Sequence, residues 1–242
     1  EQIDIMKGFV AGITASAAAV ALYKYLTRPK PPVGLTIYYF PVAGRLELSR
    51  LIAAAFGFDI KVEKPPSECD KAEYGSKSGL PLLTHGDLKF SQTFAIQRYL
   101  ASFVPQLVAL TPAQQAIDDM YCSIKEDVLA GLVPIVFGGL ATAPTEVPKL
   151  CDKWFGVLEG ILPAEGFVLG LSHPTLADLA VLNLALAYMP FGAAYKHGTY
   201  DYAANHPKMA ALVERTSAVP GVKEYLASST SLTLSFLDAD KK

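Results

Sequence analysis

The chain changes character near residue 105, and this change limits its possible folds more than any other feature. Before that point, strand-like and helix-like segments alternate, whereas almost every later segment has helical spacing. The N-terminal half therefore predicts an α/β unit over residues 35–104. Its segments in order are a strand at 35–40, a helix at 44–57, a strand at 58–64, a hairpin at 80–90 and a helix from Ser91.

The second half predicts an all-helical unit over residues 105–242. Thr111 and Gln114 form a capping-box pattern at its first helix, and Thr175 and Asp178 form another before an apolar run. Because that run is apolar on every side, we expect it to be a central buried helix. Further amphipathic segments cover residues 147–162 and 205–228.

Composition excludes several classes of function. The formal net charge is −2, so no basic field indicates a nucleic-acid partner. The three cysteines have no metal-ligand spacing, and their odd number argues against a disulfide framework. We therefore expect no metal site and a reducing compartment.

Residues 1–34 predict a membrane anchor followed by a linker. Residues 8–23 carry no charge, and the span extends over about residues 5–26 if the flanking lysines snorkel. Residues 27–34 form a stiff proline-rich linker. The alternatives are a helix that is buried or docked on a partner, and a cleaved signal peptide, which Asp4 disfavours.

Basic residues follow the predicted span at Lys24, Arg28 and Lys30. By the positive-inside tendency they place the rest of the chain on the cytosolic, matrix or stromal side. We expect a single-pass protein of an organelle membrane, either the mitochondrial inner membrane or the thylakoid, with the lipid bilayer as a partner.

The stretch "SQTFAIQRYL" (91–100) places Gln92 and Thr93 where a helix begins. Unpaired backbone N–H groups and the helix dipole at such a position can hold a carboxylate. From the residues alone, these two side chains either cap the helix or bind a small anion.

Four segments, in order, resemble the cytosolic glutathione transferases, nearest to the sigma-class branch. They are "LTIYYFPVAGRLELSRLIAAAFG", "GLPLL", "SQTFAIQRYLA" and "HPTLADLAVLNL". The resemblance implies a thioredoxin-like N-terminal domain, an all-α C-terminal domain, glutathione as cosubstrate and usually a homodimer. The transmembrane helix predicted before this fold is not part of the usual cytosolic pattern.

The resemblance also implies roles for individual residues. Gln92 and Thr93 would bind the γ-glutamyl carboxylate of glutathione, and Thr93 replaces the usual serine. The backbone of Leu80, before a cis Pro81, would pair with the cysteinyl part. Asp118 matches an acid that reaches the glutamyl amine across the dimer interface.

Tyr39 falls in the catalytic position of the family pattern. Its phenol O–H would stabilise the thiolate of glutathione, and Arg45 is the natural nearby cation. Neighbouring Tyr38 should point to the opposite face of the strand.

The sequence departs from the family pattern at two further points. Gly79 stands where glutamine is frequent before the Leu-Pro pair, and the usual ligands of the glycyl carboxylate are not recognisable, although Lys71 or Lys77 could substitute. The acceptor pocket should lie among helical residues around Tyr121, Val128 and the C-terminal segment.

The function expected from these features is that of a membrane-tethered glutathione transferase acting on hydrophobic electrophiles. The main alternative is a non-catalytic or weakly catalytic accessory subunit of a respiratory or photosynthetic membrane complex. Isomerisation of a bound substrate is a third possibility, since some sigma-like members make prostanoids.

Overall fold

The structure is a computed structural model that describes residues 32–234 of the 242-residue chain. The predicted membrane helix at residues 5–26 lies outside the described residues, as does most of the predicted 1–34 anchor and linker. The last eight residues, 235–242, also lie outside them.

Within the described region, four strands form one mixed sheet in the order β2-β1-β3-β4. Strand β1 pairs parallel with β2 and antiparallel with β3, which forms a hairpin with β4. Ile37 at the centre of the sheet is opposite both Val62 and Leu83. The strands are β1 Leu35–Tyr38, β2 Lys61–Glu63, β3 Leu82–His85 and β4 Leu88–Ser91.

The helices follow the predicted order. The sheet domain also contains two short 3₁₀ turns, Gly44–Leu46 and Lys71–Tyr74. The helical domain contains a π-helical turn, Tyr188–Gly192. The helices are α1 Glu47–Phe56, α2 Thr93–Ala101, α3 Pro105–Val108, α4 Pro112–Phe137, α5 Ala143–Ile161, α6 Leu176–Leu186, α7 Ala193–Gly198, α8 Tyr202–Asn205, α9 Pro207–Ser217 and α10 Pro220–Ser228.

The expected architecture, a four-stranded α/β domain followed by a helical domain, is confirmed. Both predicted capping boxes, Thr111 with Gln114 and Thr175 with Asp178, are present. The helix formed by the apolar run ends at Leu186, where Ala187 takes an extended conformation with a ψ of 120°. The domain boundaries at residues 104 and 105 stay a prediction.

Helix α6 is the centre of the helical domain, and it packs against α4, α9 and α1. Every residue from Leu176 to Ala185 is buried, as the apolar run predicts. Because water cannot reach its N-terminus, the backbone N–H groups there need internal acceptors. Asp178 accepts hydrogen bonds from the N–H groups of Thr175 and Val168, both at 2.8 Å.

Helix α10 of the helical domain packs on α1 of the sheet domain. The contact is close at Gly221, where an added Cβ would lie 2.0 Å from the carbonyl oxygen of Ala54. Only glycine fits this contact, so Gly221 controls how near the two helices can approach.

Within residues 32–234, no single helix has both the length and the hydropathy required to cross a membrane. Two consecutive helical segments meet this requirement only when they are taken together, and only by length and composition. They are Leu176–Leu186 and Tyr188–Gly198, which are bent by 45° relative to each other.

Replacing Asp178, the buried cap of α6, should lower the stability of the protein by an amount that depends on pH. Burial raises the pKa of Asp178 to about 6 from an ordinary 3.8. Between these two pH values the folded chain keeps the Asp178 proton, whereas the unfolded chain releases it. Its contribution to stability is then full below pH 4 and lost as the pH rises through about 6. Asp178→Asn should lower the free energy of unfolding by about 1–3 kcal/mol at pH 4, and by less at pH 7.

Urea unfolding at several pH values measures this difference. Asp201→Asn is the matched control, because it replaces a capping carboxylate that stays exposed to water at the start of α8. A cost for Asp178→Asn that grows with pH would contradict the role given to burial.

Gly221→Ala should lower the free energy of unfolding by about 1–3 kcal/mol, because its methyl group overpacks the α1–α10 contact. Gly156→Ala, in the middle of α5, meets open space and should stabilise the chain by up to about 1 kcal/mol. Thermal or urea unfolding of the two variants tests the pair, and equal effects would show that α10 does not depend on close contact at Gly221.

Candidate active site

Tyr39 directly follows β1, and its position is fixed from both ends. Its backbone N–H donates to the carbonyl of Glu63 at 2.8 Å, which continues the pairing with β2. Its phenol oxygen accepts the backbone N–H of Arg45 at 2.8 Å. An added Cβ at Gly44 would lie 2.4 Å from this oxygen, and Gly44 also has a φ of +49°, so glycine is required there.

The surroundings keep the Tyr39 phenol protonated. Burial raises the pKa of Tyr39, and the Arg45 N–H and guanidinium offset only part of that rise. Since the phenol oxygen already accepts a hydrogen bond, its own proton is free to donate to another group. As predicted, Tyr38 turns to the other side, and its ring meets Tyr74 edge-on at 6.4 Å.

A polar cleft of about 270 Å³ brings together most of the site residues predicted from the sequence. Arg45, the Leu80–Pro81 pair, Gln92 and Thr93 all line it, and the Leu80–Pro81 bond is cis, as expected. The full lining consists of Arg45, Ser76, Gly79, Leu80, Pro81, Ser91, Gln92 and Thr93.

The start of α2 faces this cleft in an unusual conformation. Gln92 has φ +78° and ψ +121°, a region that residues other than glycine seldom occupy. Its carbonyl accepts the N–H of Ile96 at 3.0 Å, but its side chain makes no capping hydrogen bond. Of the two interpretations left open by the sequence, this geometry favours an anion site over a simple cap.

Arg45 links the two domains. Its guanidinium donates to Glu126 on α4 at 2.7 Å, although it is still 42% exposed. The other carboxylate oxygen of Glu126 pairs with Lys125, which is fully buried. Glu126 therefore holds two cations, one from each domain.

An apolar pocket of about 350 Å³ adjoins the polar cleft, and Arg45 lines both. Leu129, Val133 and Phe137 recur every four residues on α4 and form one wall. The remaining lining comes from the loop after β1 and from the turn after α6, and consists of Tyr39, Phe40, Val42, Gly44, Arg45, Met189 and Pro190.

The expected position of the acceptor pocket needs correction. Tyr121 and Val128 are buried in the core and do not line the apolar pocket. Leu129, the residue after Val128, does line it, because consecutive helical residues point about 100° apart.

The interpretation of Asp118 also needs correction. Asp118 is fully buried and accepts the backbone N–H of Ala177 at 3.0 Å, so it caps α6 from α4. Burial raises the pKa of Asp118, and hydrogen bonds from the Thr175 side chain and the Ala177 N–H offset part of that rise. A carboxylate held in this way cannot reach a second subunit.

The neighbouring Asp119 faces outward instead. It pairs with Arg98 on α2, the helix that begins at the cleft, and its side chain is 40% exposed. Sequence reasoning missed Asp119 because "IDDMY" contains two adjacent acids, and only the orientation of α4 distinguishes them.

Neither candidate lysine lines the cleft. Lys71 donates to the carbonyl of Ser78 at 2.8 Å and supports the loop from outside, while Lys77 is exposed. Sequence reasoning missed Ser76, which is buried at the edge of the cleft and bonds both the N–H and the carbonyl of Gly79 at 3.1 Å. Its position in "GSKSGLP", close to the cis proline, was the only signal.

Comparison with known proteins identifies the same architecture. The family model described as "Glutathione S-transferase, C-terminal domain" matches residues 139–229. The rat protein named glutathione S-transferase alpha-1 is 25% identical over 201 residues, covering 78% of this chain and 86% of the rat protein. Glutathione S-transferase P 1 of the toad Bufo bufo is 26% identical over 204 residues, covering 80% and 91%.

The structure of the Pi-class glutathione S-transferase of Onchocerca volvulus has the same fold. It superposes with a TM-score of 0.68 over 84% of this chain and 96% of that one, at 18% identity. The chain is thus similar in sequence to glutathione S-transferases, at 25–26% identity, and has the fold of one whose structure is known.

Proposed function

We propose that this protein is a glutathione transferase in which Tyr39 activates the thiol of glutathione. The observation that carries the proposal is the hydrogen bond from the Arg45 N–H to the Tyr39 phenol oxygen. It orients the phenol in the wall of the apolar pocket, beside Arg45, which lines both cavities, and leaves the phenol proton free for a sulfur atom.

Glutathione would bind in the polar cleft. Its γ-glutamyl carboxylate would lie at the start of α2, where Thr93, Gln92 and the unpaired backbone N–H groups offer donors. Its cysteinyl part would pair with the backbone of Leu80. This arrangement directs the thiol toward Arg45, which borders both cavities.

The required activation is modest in energy. A free thiol with a pKa near 8.5 is only about 3% thiolate at pH 7. Lowering its pKa by about two units makes it roughly three-quarters thiolate, which corresponds to about 2.7 kcal/mol of stabilisation. The Tyr39 O–H and the positive charge of Arg45 can supply this amount together.

The thiolate would then attack an electrophile held in the apolar pocket. The sulfur forms a bond to the electrophilic carbon, and either a leaving group departs or the acceptor takes up the electron pair and then a proton. Because the pocket wall is formed by Leu129, Val133 and Phe137, the acceptor we propose is a hydrophobic molecule. A sigma-class specialisation, including isomerisation of a bound substrate, is a narrower form of this proposal.

We also propose a homodimer formed through α2 and α4. Phe94, Ile117 and Met120 are exposed on these helices around the Arg98–Asp119 ion pair, and an exposed apolar patch of this kind is typical of an interface. Asp119 takes the place of Asp118 as the acid that would face the glutathione of a partner subunit.

The membrane location stays part of the proposal and rests on the sequence of residues 5–26 alone. The suggested organelle membrane, with the bulk of the chain on the matrix, stromal or cytosolic side, has the same basis. The alternative of an accessory subunit stays a prediction that no contact within residues 32–234 favours. Gentle solubilisation of the native membrane followed by sizing would separate a free dimer from a large assembly.

Tyr39→Phe should restore the pKa of bound glutathione toward that of the free thiol. With the two-unit shift removed, the thiolate fraction and the conjugation rate at pH 7 should fall about 25-fold. Ultraviolet titration of the thiolate, in the full chain with glutathione bound, measures this shift directly. Tyr38→Phe, one residue away and packed on Tyr74, is the matched control and should change neither quantity. Failure to bind glutathione, or a thiol pKa that ignores Tyr39, would refute the proposed function.

Val133→Trp should fill much of the apolar pocket. We expect the KM for a bulky hydrophobic acceptor to rise about tenfold or more, while the KM for glutathione stays unchanged, because Val133 does not line the polar cleft. Steady-state kinetics with each substrate varied in turn tests this. Val157→Trp, on the exposed face of α5, is the control, and equal effects of both variants would contradict the assigned pocket.

A further inference from the structure

The loop that carries the activating groups is held in place by the C-terminal end of the described chain. The Ala43 N–H donates to the carbonyl of Ser231 at 3.1 Å. Ala43 lies between Tyr39 and Arg45, and directly before Gly44, whose close approach to the phenol the site requires. The position of Ser231 therefore helps to determine the geometry of the hydrogen bond from Arg45 to Tyr39.

Ser231 is held by a buried carboxylate from the sheet domain. Glu47, the first residue of α1, is 1% exposed. One of its oxygens accepts the hydroxyl of Tyr225 at 2.7 Å, and the other accepts the hydroxyl of Ser231 at 3.3 Å. The hydroxyls of Tyr225 and Ser231 also lie 3.1 Å apart, so the three side chains form a closed triangle.

Arg50 connects the same carboxylate to the loop from the other side. Its guanidinium lies 3.5 Å from the second oxygen of Glu47 and donates to the carbonyl of Val42 at 2.8 Å. The carbonyl of Val42 and the N–H of Ala43 belong to one peptide bond. Glu47 thus orients both polar groups of that bond, through Arg50 on one side and Ser231 on the other.

The cost of this arrangement indicates that Glu47 has a role beyond packing. A fully buried carboxylate loses its hydration, and burial raises the pKa of Glu47 despite the hydrogen bond from Tyr225 and the charge of Arg50. An apolar residue at this position of α1 would avoid that loss. The feature gained with the carboxylate is a polar connection between the end of α10 and the loop that bears the site.

We propose that Glu47 is a positioning residue for thiol activation: through Tyr225, Ser231 and Arg50 it fixes the Val42–Ala43 peptide, and with it the alignment of the Tyr39 hydroxyl. The inference rests on the proposed function and deepens it. It assigns to the segment after α10 a part in setting the reactivity of the thiol, although none of that segment's described residues, 229–234, lines the polar cleft.

Tyr225→Phe is the most informative variant, because it removes a single hydroxyl and keeps the ring that packs between the domains. We expect the pKa of bound glutathione to rise by about half a unit, which leaves about threefold less thiolate at pH values below the pKa. The kcat at pH 7 should fall in the same proportion, and the KM for glutathione should stay within about twofold, because the cleft itself is intact.

Tyr195→Phe is the matched control. Tyr195 is also buried and donates its hydroxyl within the helical domain, to the carbonyl of Leu184 at 2.6 Å. Both variants lose one phenol hydrogen bond and should lower the unfolding midpoint. Only Tyr225→Phe should change the pKa of bound glutathione. Equal pKa shifts in the two variants would show that Glu47 and Tyr225 contribute only to the general stability of the fold.

Glu47→Gln provides an independent test with nearly unchanged shape. It removes the charge that faces Arg50, so the thiol pKa should rise at least as far as in Tyr225→Phe. The double variant should rise no further than Glu47→Gln alone, because both changes act on one network. Additive shifts would show that the two residues act separately and would overturn the proposal.

The wild-type titration separates this inference from the proposed function. If wild-type protein does not lower the pKa of bound glutathione, the proposed function fails, and the inference fails with it. If wild type lowers it and Tyr39→Phe abolishes the effect, while Tyr225→Phe and Glu47→Gln leave it unchanged, only the positioning role of Glu47 is wrong.

Discussion

The burial of the N-terminus of α6 is the constraint on which the rest of the structure depends. A helix enclosed by protein on all sides cannot leave its first N–H groups to water, so acceptors must come from within the fold. In the capping box, Asp178 accepts the N–H of Thr175 and the Thr175 side chain accepts the N–H of Asp178, while Asp118 of α4 accepts the N–H of Ala177. Because the last contact joins two helices, satisfying the N-terminus of α6 also fixes α4 beside it.

The position of α4 in turn creates the site at the junction of the domains. The side of α4 next to the sheet domain presents Glu126 to Arg45 and presents Leu129, Val133 and Phe137 to the loop after β1. The polar cleft belongs almost wholly to the sheet domain, whereas the apolar pocket needs both domains. In the proposed function, thiol activation and acceptor binding therefore use different parts of the chain, and Arg45 lines both cavities.

The predicted site residues that the structure brings to the two cavities occupy positions that depend on local structure. Gln92 and Thr93 stand at a helix start, Pro81 directly precedes β3, and Tyr39 directly follows β1, so each position could be recognised from a short segment with the help of the family pattern. The predictions that failed depended on helix orientation. Asp118 and Val128 each lie next to the residue that has the predicted orientation. A difference of about 100° around α4 cannot be read from spacing here, because this helix buries Asp118 and Lys125 and exposes Ile117 and Met120.

The sequence by itself determined the order of strands and helices, both capping boxes, the cis-proline position and the identity of the candidate activating tyrosine. These features depend on neighbours within a few residues, where propensity, capping and turn chemistry act directly. Only the tertiary structure decided that Glu126 pairs with Arg45, that Gly221 brings α10 onto α1, and that Glu47 meets Tyr225 and Ser231. Those contacts join residues far apart in the chain, and they form only when the packing of two domains excludes water and leaves each buried polar group to find a partner inside.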